Sequence, residues 1–155
     1  ETTTSIIVLV LMGLLVLIRK NINAFRIIHW VIAGGFLVAG VSSWLFVAGK
    51  MDGAIWMQMV SLGLYMAYIP FNCIFFERMI ATFRIAGNVG FLIYIADAYG
   101  YLGSVIIMLT KSFMEIKLQW TSFYSNGVII FSLIGVIGTL VSLFYFNKKF
   151  KLQNQ

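Results

Sequence analysis

The sequence predicts an all-α fold, a polytopic membrane helix bundle, and three observations carry that prediction. Of 155 residues, 61% are hydrophobic and only 10% are charged, whereas a soluble domain is about 45–50% apolar and about 25% charged. Mean hydropathy is +0.98. Apolar runs of at least 21 residues recur along the chain, and about 20 such residues cross a hydrocarbon core. So few charged side chains cannot build a water-facing surface over so much Leu, Ile, Val and Phe. A soluble enzyme, a nucleic-acid binder and a disordered tail are therefore excluded. The net charge of +6 sits at the ends of apolar runs, where basic residues set topology. A single cysteine, Cys73, excludes an internal disulfide and a cysteine-based metal cluster.

Five spans follow in one domain covering residues 1–155: about 3–18, 27–48, 54–83, 89–109 and 122–146. The first apolar run, Ile6 to Ile18, has 13 residues, which covers roughly 20 Å of a core about 30 Å thick. Either the Thr-rich Glu1–Ser5 segment completes this helix, or the sequence begins partway through one. The reading adopted is a fragment of a longer protein, since no small-residue cleavage site follows the run as it would in a signal peptide. In the second span Gly35, Ala39 and Ser43 recur every four residues, a small-residue seam that lets helices approach closely. His29 and Trp30 at its end read as membrane anchors.

The third span carries Gln58, Ser61, Tyr65, Tyr68 and Asn72, spaced 3, 4, 3, 4, which is one face of a helix. Pro70, the only proline, removes a backbone hydrogen bond there and predicts a kink near Met66. The span runs on past the bilayer to about Phe83, with Glu77 and Arg78 at its end as a gate latch against the 84–88 turn, an ion pair or interfacial snorkelling residues. The fourth span repeats the pattern with Gly90, Tyr94, Asp97, Tyr101 and Ser104. Asp97 lies about 12 Å into this helix, where a lone carboxylate calls for a partner or a proton. The expected partner is Arg78 in an ion pair, or a Tyr or Asn through a hydrogen bond. The fifth span carries Ser125, Ser132, Gly135, Thr139 and Ser142, small residues that predict a second packing seam.

Basic residues orient the bundle. Eight (Arg19, Lys20, Arg26, Arg78, Arg84, Lys148, Lys149 and Lys151) fall on one side, against Lys50, Lys111 and Lys117 on the other. The positive-inside rule puts the larger set, with the C-terminus, in the cytoplasm. Trp56, Trp120 and Tyr124 then mark outer helix ends, and Trp30 and Tyr145 inner ones.

Polar groups are costly against lipid tails, so the stripes on the third and fourth spans mark faces turned to protein or water. One reading makes them two walls of a polar cavity, with Tyr65, Tyr68, Asn72, Tyr94, Asp97 and Tyr101 along a substrate or proton pathway. The other makes them packing surfaces with internally satisfied hydroxyls. No His/Cys/carboxylate cluster, phosphate-binding glycine loop or nucleophile–base pair is visible. No cofactor, metal or enzymatic activity is therefore expected. The implied partners are the lipid bilayer, the helices missing from the N-terminal side and a small-molecule substrate.

The stretches Tyr68-Ile69-Pro70-Phe71-Asn72-Cys73, Phe76-Glu77-Arg78-Met79-Ile80-Ala81 and Tyr94 through Ser104 resemble the C-terminal part of a major facilitator superfamily transporter. They also look like an uncharacterised bacterial family of that type. The resemblance implies the last five of twelve helices, with the Tyr65/Tyr68/Asn72 and Asp97 helices bordering the central cavity. It implies a secondary active transporter of the bacterial inner membrane, working by alternating access with or without proton coupling. Arg19-Lys20-Asn21 only faintly echoes the family's cytoplasmic Gly/Asp/Arg loop, so no substrate carries over. The alternatives are a structural or assembly protein of the membrane and a membrane-embedded enzyme.

Overall fold

The computed structural model describes residues 2–113 and 119–153, and these fold almost entirely as helix. The elements are α1 (Thr2–Val16), α2 (Asn21–Val47), α3 (Gly53–Pro70), a π-helical stretch (Phe71–Phe75), α4 (Phe76–Phe83), α5 (Val89–Phe113) and α6 (Trp120–Gln153). α3, the π stretch and α4 run on as one apolar rod of 31 residues. With α2, α5 and α6 it makes four helices long and apolar enough to cross a membrane. α1 has 15 residues, about 22 Å at 1.5 Å per residue. Of the basic residues counted for orientation, Lys117 lies outside the described residues.

α2 is the central element, packed on α3 along one side and on α6 along another. Its glycine seam explains the first contact. A Cβ on Gly35 would lie 2.5 Å from the Gly63 carbonyl oxygen, and one on Gly63 would lie 2.5 Å from that of Gly35. The two backbones touch, with Ala39 and Ala67 one turn further along each helix. This is the small-xxx-small arrangement that lets membrane helices approach closely and gain van der Waals packing. On α3 the buried residues are Trp56, Val60, Gly63, Ala67 and Pro70, continued by Ile74 and Phe75. Against α6, the Phe36 ring occupies the space a Gly135 side chain would fill, 2.7 Å from its Cβ position.

The two ends of the bundle differ. At one end Trp56 stacks on Phe46 with ring centroids 4.0 Å apart, and its Nε1 donates to Ser43 Oγ at 3.1 Å. Trp56 is buried, so it ties α3 to α2 and does not serve as the lipid-facing anchor expected of it. At the other end Phe25, Phe75, Phe83 and Phe146 form one aromatic cluster, with centroids 5.1–5.9 Å apart around Phe25. Arg26 donates to Asn147 (2.6 Å), Arg78 to Asn21 (2.7 Å), and Lys149 lies over the Phe83 ring. Basic residues from α2, α4 and α6 thus collect at this basic end.

Pro70 has a larger effect than a kink. Without an N–H it cannot continue the α-helical ladder, and the five residues after it adopt π-helical turns. A π turn inserts one residue into the helix, which rotates α4 so that Phe83 turns inward to the aromatic cluster. α4 ends at Arg84, whose φ of 50° is left-handed.

α5 stands apart. It leans on α4, but none of its most apolar window is buried. Tyr94 and Tyr101 are 78% and 74% exposed.

Candidate functional site

A half-open hollow lies between α2, α3 and α6, not between the two helices with polar stripes. It has a volume of about 680 Å³, within the roughly 300–1,000 Å³ of small-molecule sites. Ile32, Phe36, Leu64, Phe71 and Phe75 make most of its wall apolar. Its polar groups are few: His29 from α2, Tyr65 and Tyr68 from α3, and Thr139 and Ser142 from α6.

The local sequence explains how each comes to face inward. On α3, Tyr65 and Tyr68 flank the buried Gly63/Ala67 face, so their rings reach the cavity rim while staying 48% and 58% exposed. On α6, Gly138 leaves the floor open, with nothing within 4 Å of its Cβ position, whereas Phe36 fills the space over Gly135. Thr139 Oγ1 donates back to the Gly135 carbonyl at 2.7 Å, which leaves its methyl group as the more apolar part. Ser142 meets His29. The His29 Nδ1 lies 2.8 Å from the Phe25 carbonyl oxygen and Nε2 lies 3.1 Å from Ser142 Oγ. A carbonyl can only accept, so Nδ1–H donates to it, and in the neutral ring Nε2 accepts the Ser142 hydroxyl proton. His29 is 1% exposed, with Phe25 edge-on at 4.5 Å and Phe75 at 5.1 Å.

This arrangement supplies a half-open apolar hollow with one internally satisfied His–Ser pair, and two tyrosines at its rim. It can hold a hydrophobic molecule that carries a hydrogen-bonding group. Among the described residues no group of three His, Cys, Asp or Glu is placed to hold a metal ion.

A model of a protein family matches residues 1–149, nearly the whole chain, and carries the description family of unknown function, DUF5690. The chain belongs to the DUF5690 family. Neither a curated protein nor a solved structure matches it.

The remaining candidates divide into those brought together and those kept apart. Asn72 and Asp97 meet: Asn72 Nδ2 donates to Asp97 Oδ1 at 3.3 Å, joining the π stretch to α5. Asn72 Oδ1 is buried without a partner. Arg78 does not pair with Asp97. Its Nη1 donates to Asn21 at the N-terminus of α2, and its Nε is buried unpartnered. Among the described residues no ion pair joins Glu77 to Arg78 either. Tyr94 and Tyr101 point off the exposed side of α5 and take no part in the cavity.

Sequence reasoning missed two parts of the cavity. His29 reads in sequence as an interfacial anchor, but the structure buries it against Ser142, 113 positions away. Gly135, Thr139 and Ser142 read as a tight seam. The seam holds at Gly135, where Phe36 packs close, and then parts into the cavity at Thr139 and Ser142. The available signal was that His29 lies on the same face of α2 as Ile32 and Phe36, spaced three and four residues apart.

Proposed function

We propose that the chain is a membrane transport protein, a secondary active carrier of a small and mainly apolar solute, which works by alternating access. The observation that carries this reading is the cavity of about 680 Å³ bounded by three long apolar helices, with its few polar groups gathered on His29, Tyr65, Tyr68 and Ser142. Solute binding sites near the midplane at helix junctions are the recurring arrangement of such carriers. The resemblance of the Tyr68–Ala81 and Tyr94–Ser104 stretches to major facilitator superfamily transporters points the same way. On this reading the basic end faces the cytoplasm of a bacterial inner membrane, with the C-terminus. Asn72 and Asp97 form a polar contact beside the pathway, and the Pro70 break gives the gate helix its bend.

The experiment is cysteine accessibility in sealed vesicles, in a Cys73→Ser background. Tyr65→Cys, Tyr68→Cys, Thr139→Cys and Ser142→Cys are expected to react with a membrane-impermeant maleimide, and an apolar competitor is expected to slow the reaction. The lipid-facing control Leu133→Cys, 61% exposed, is expected to stay unreactive. Silence at all four cavity positions would remove the transport reading.

One observation favours a second reading, a structural or assembly protein of the membrane. α5 offers nearly its whole length to other helices, and a scaffold needs such a surface. The labelling pattern separates the two, since a scaffold has no reason to admit water at Thr139 and Ser142.

A further inference from the structure

The basic end holds a second and chemically different cleft. It has a volume of about 630 Å³ and lies where the start of α2, the α4 C-terminus and the tail of α6 converge. Its walls include Lys20 and Arg84, the polar side chains of Asn21 and Thr82, and the apolar faces of Ile22 and Phe150. Among the described residues no aspartate or glutamate lines it.

The cations around this cleft fall into two groups. Arg26 is committed to Asn147 and the Phe150 ring, Lys149 to the Phe83 ring and Arg78 to Asn21. Lys20 and Arg84 have no ion pair or side-chain hydrogen bond among the described residues, and they are the two charges that line the cleft. The start of α2 adds to them. Its N-cap residue Lys20 provides no side-chain cap, so the first amide N–H groups of the helix remain available at the positive end of its dipole. Arg78 holds Asn21 by its Oδ1, which leaves the Asn21 Nδ2 protons free to donate. Thr82 Oγ1 is buried in the cleft wall with no partner, and buried hydroxyls are ordinarily satisfied.

Each of these can donate a hydrogen bond or carries positive charge, and among the described residues no hydrogen bond or ion pair answers them, although the Gln153 amide also lines the cleft. We propose that this cleft binds the phosphate of an anionic phospholipid headgroup, seated between Lys20 and Arg84 over the N-terminus of α2. A lipid is the source because of the level at which the cleft lies. Ile22, Phe83 and Phe150 bring apolar surface to it, and α6 turns from Phe144-Tyr145-Phe146 to Asn147-Lys148-Lys149 at this height. That is the boundary between hydrocarbon and headgroups, where basic pockets between helices take acidic lipids. Phosphate oxygens supply the acceptors that Thr82, Asn21 and the α2 amides lack. This site is separate from the α2/α3/α6 cavity and does not depend on transport.

The test is lipid binding by native mass spectrometry on the purified full chain, with phosphatidylglycerol, phosphatidylcholine and inorganic phosphate as probes. The expected result is selective retention of phosphatidylglycerol, reduced about fivefold by Lys20→Gln and again by Arg84→Asn, since each basic group near an anionic headgroup adds about that much. Asn accepts the left-handed backbone of residue 84, so the second variant removes charge without straining the turn. Lys50→Gln, at the opposite end, is the control and is expected to bind as the parent does. Thermal denaturation of each variant without lipid identifies any that misfold, and Thr82→Val gives an independent uncharged probe, expected to weaken binding. Equal binding of phosphatidylcholine and phosphatidylglycerol, or full binding by the Lys20→Gln/Arg84→Asn double variant, would overturn the proposal. Inorganic phosphate displacing the lipid completely at equal concentration would assign the site to a free anion and overturn the lipid reading.

Discussion

Replacing Gly63 by alanine tests whether α2 and α3 are held by backbone contact. The new methyl group would lie 2.5 Å from the Gly35 oxygen, 2.7 Å from the Ala39 nitrogen and 3.0 Å from the Ala39 Cβ. Two of these neighbours are backbone atoms, which cannot rotate away, so the helices must part by several tenths of an ångström. Forcing extra volume into a packed contact costs about 1–3 kcal/mol, and a rigid backbone target puts this case in the upper half. Against that, alanine is the better helix former by about 0.8–1.0 kcal/mol. The net expectation is a loss of about 1–2 kcal/mol. Gly35→Ala meets Gly63 and Ala67 in the same way and should lose a similar amount. The double variant should cost less than the sum, because one separation of the helices relieves both clashes. Gly34 provides the internal control, since nothing lies within 4 Å of its Cβ position. Gly34→Ala should therefore be neutral or stabilising. Unfolding by dodecyl sulfate titration in mixed micelles, followed by near-UV circular dichroism, measures each variant. Equal midpoints for Gly34→Ala and Gly35→Ala would refute the contact argument.

Three further outcomes follow from single contacts. His29→Phe strands the Ser142 hydroxyl inside an apolar wall and should cost about 1–3 kcal/mol in the same titration; Ser142→Ala in that background should recover part of the loss. Ser43→Ala leaves the Trp56 indole N–H buried without its acceptor and should cost about 1–2 kcal/mol, whereas Ser42→Ala, which removes only bonds to its own helix backbone, should cost less. Pro70→Ala restores an N–H in the rod and should raise amide hydrogen-exchange protection around Met66–Phe71; unchanged exchange would show that the π stretch is set by the packing of Phe75 and Phe83 instead.

The long apolar runs were legible because a bilayer imposes length and composition directly. The Gly35/Ala39/Ser43 seam was legible too, since small residues every four positions have few uses in a membrane helix other than close approach. Its partner on α3 was hidden by a louder signal. Gln58, Ser61, Tyr65, Tyr68 and Asn72 form one ladder, and Val60, Gly63, Ala67, Pro70 and Ile74 form a second with the same 3, 4 spacing on the buried face. Polarity drew the reading to the first, while packing selected the second. For α5 the stripe gave a face but no partner, because periodicity within one helix carries no information about its neighbours. The Asn72–Asp97 contact was within reach of the sequence only as a shared level in two helices. The His29–Ser142 pair depends on how α2 and α6 register against each other, which no local pattern encodes.

The burial of Trp56 has a practical consequence. Trp30, Trp44 and Trp120 lie open on the outside of the bundle at 50–61% exposure, and Trp56 alone is enclosed at 5%. Brominated acyl chains would therefore extinguish the emission of three indoles and spare the fourth. The surviving fluorescence becomes an optical readout of the α2–α3 junction, built into the unmodified chain.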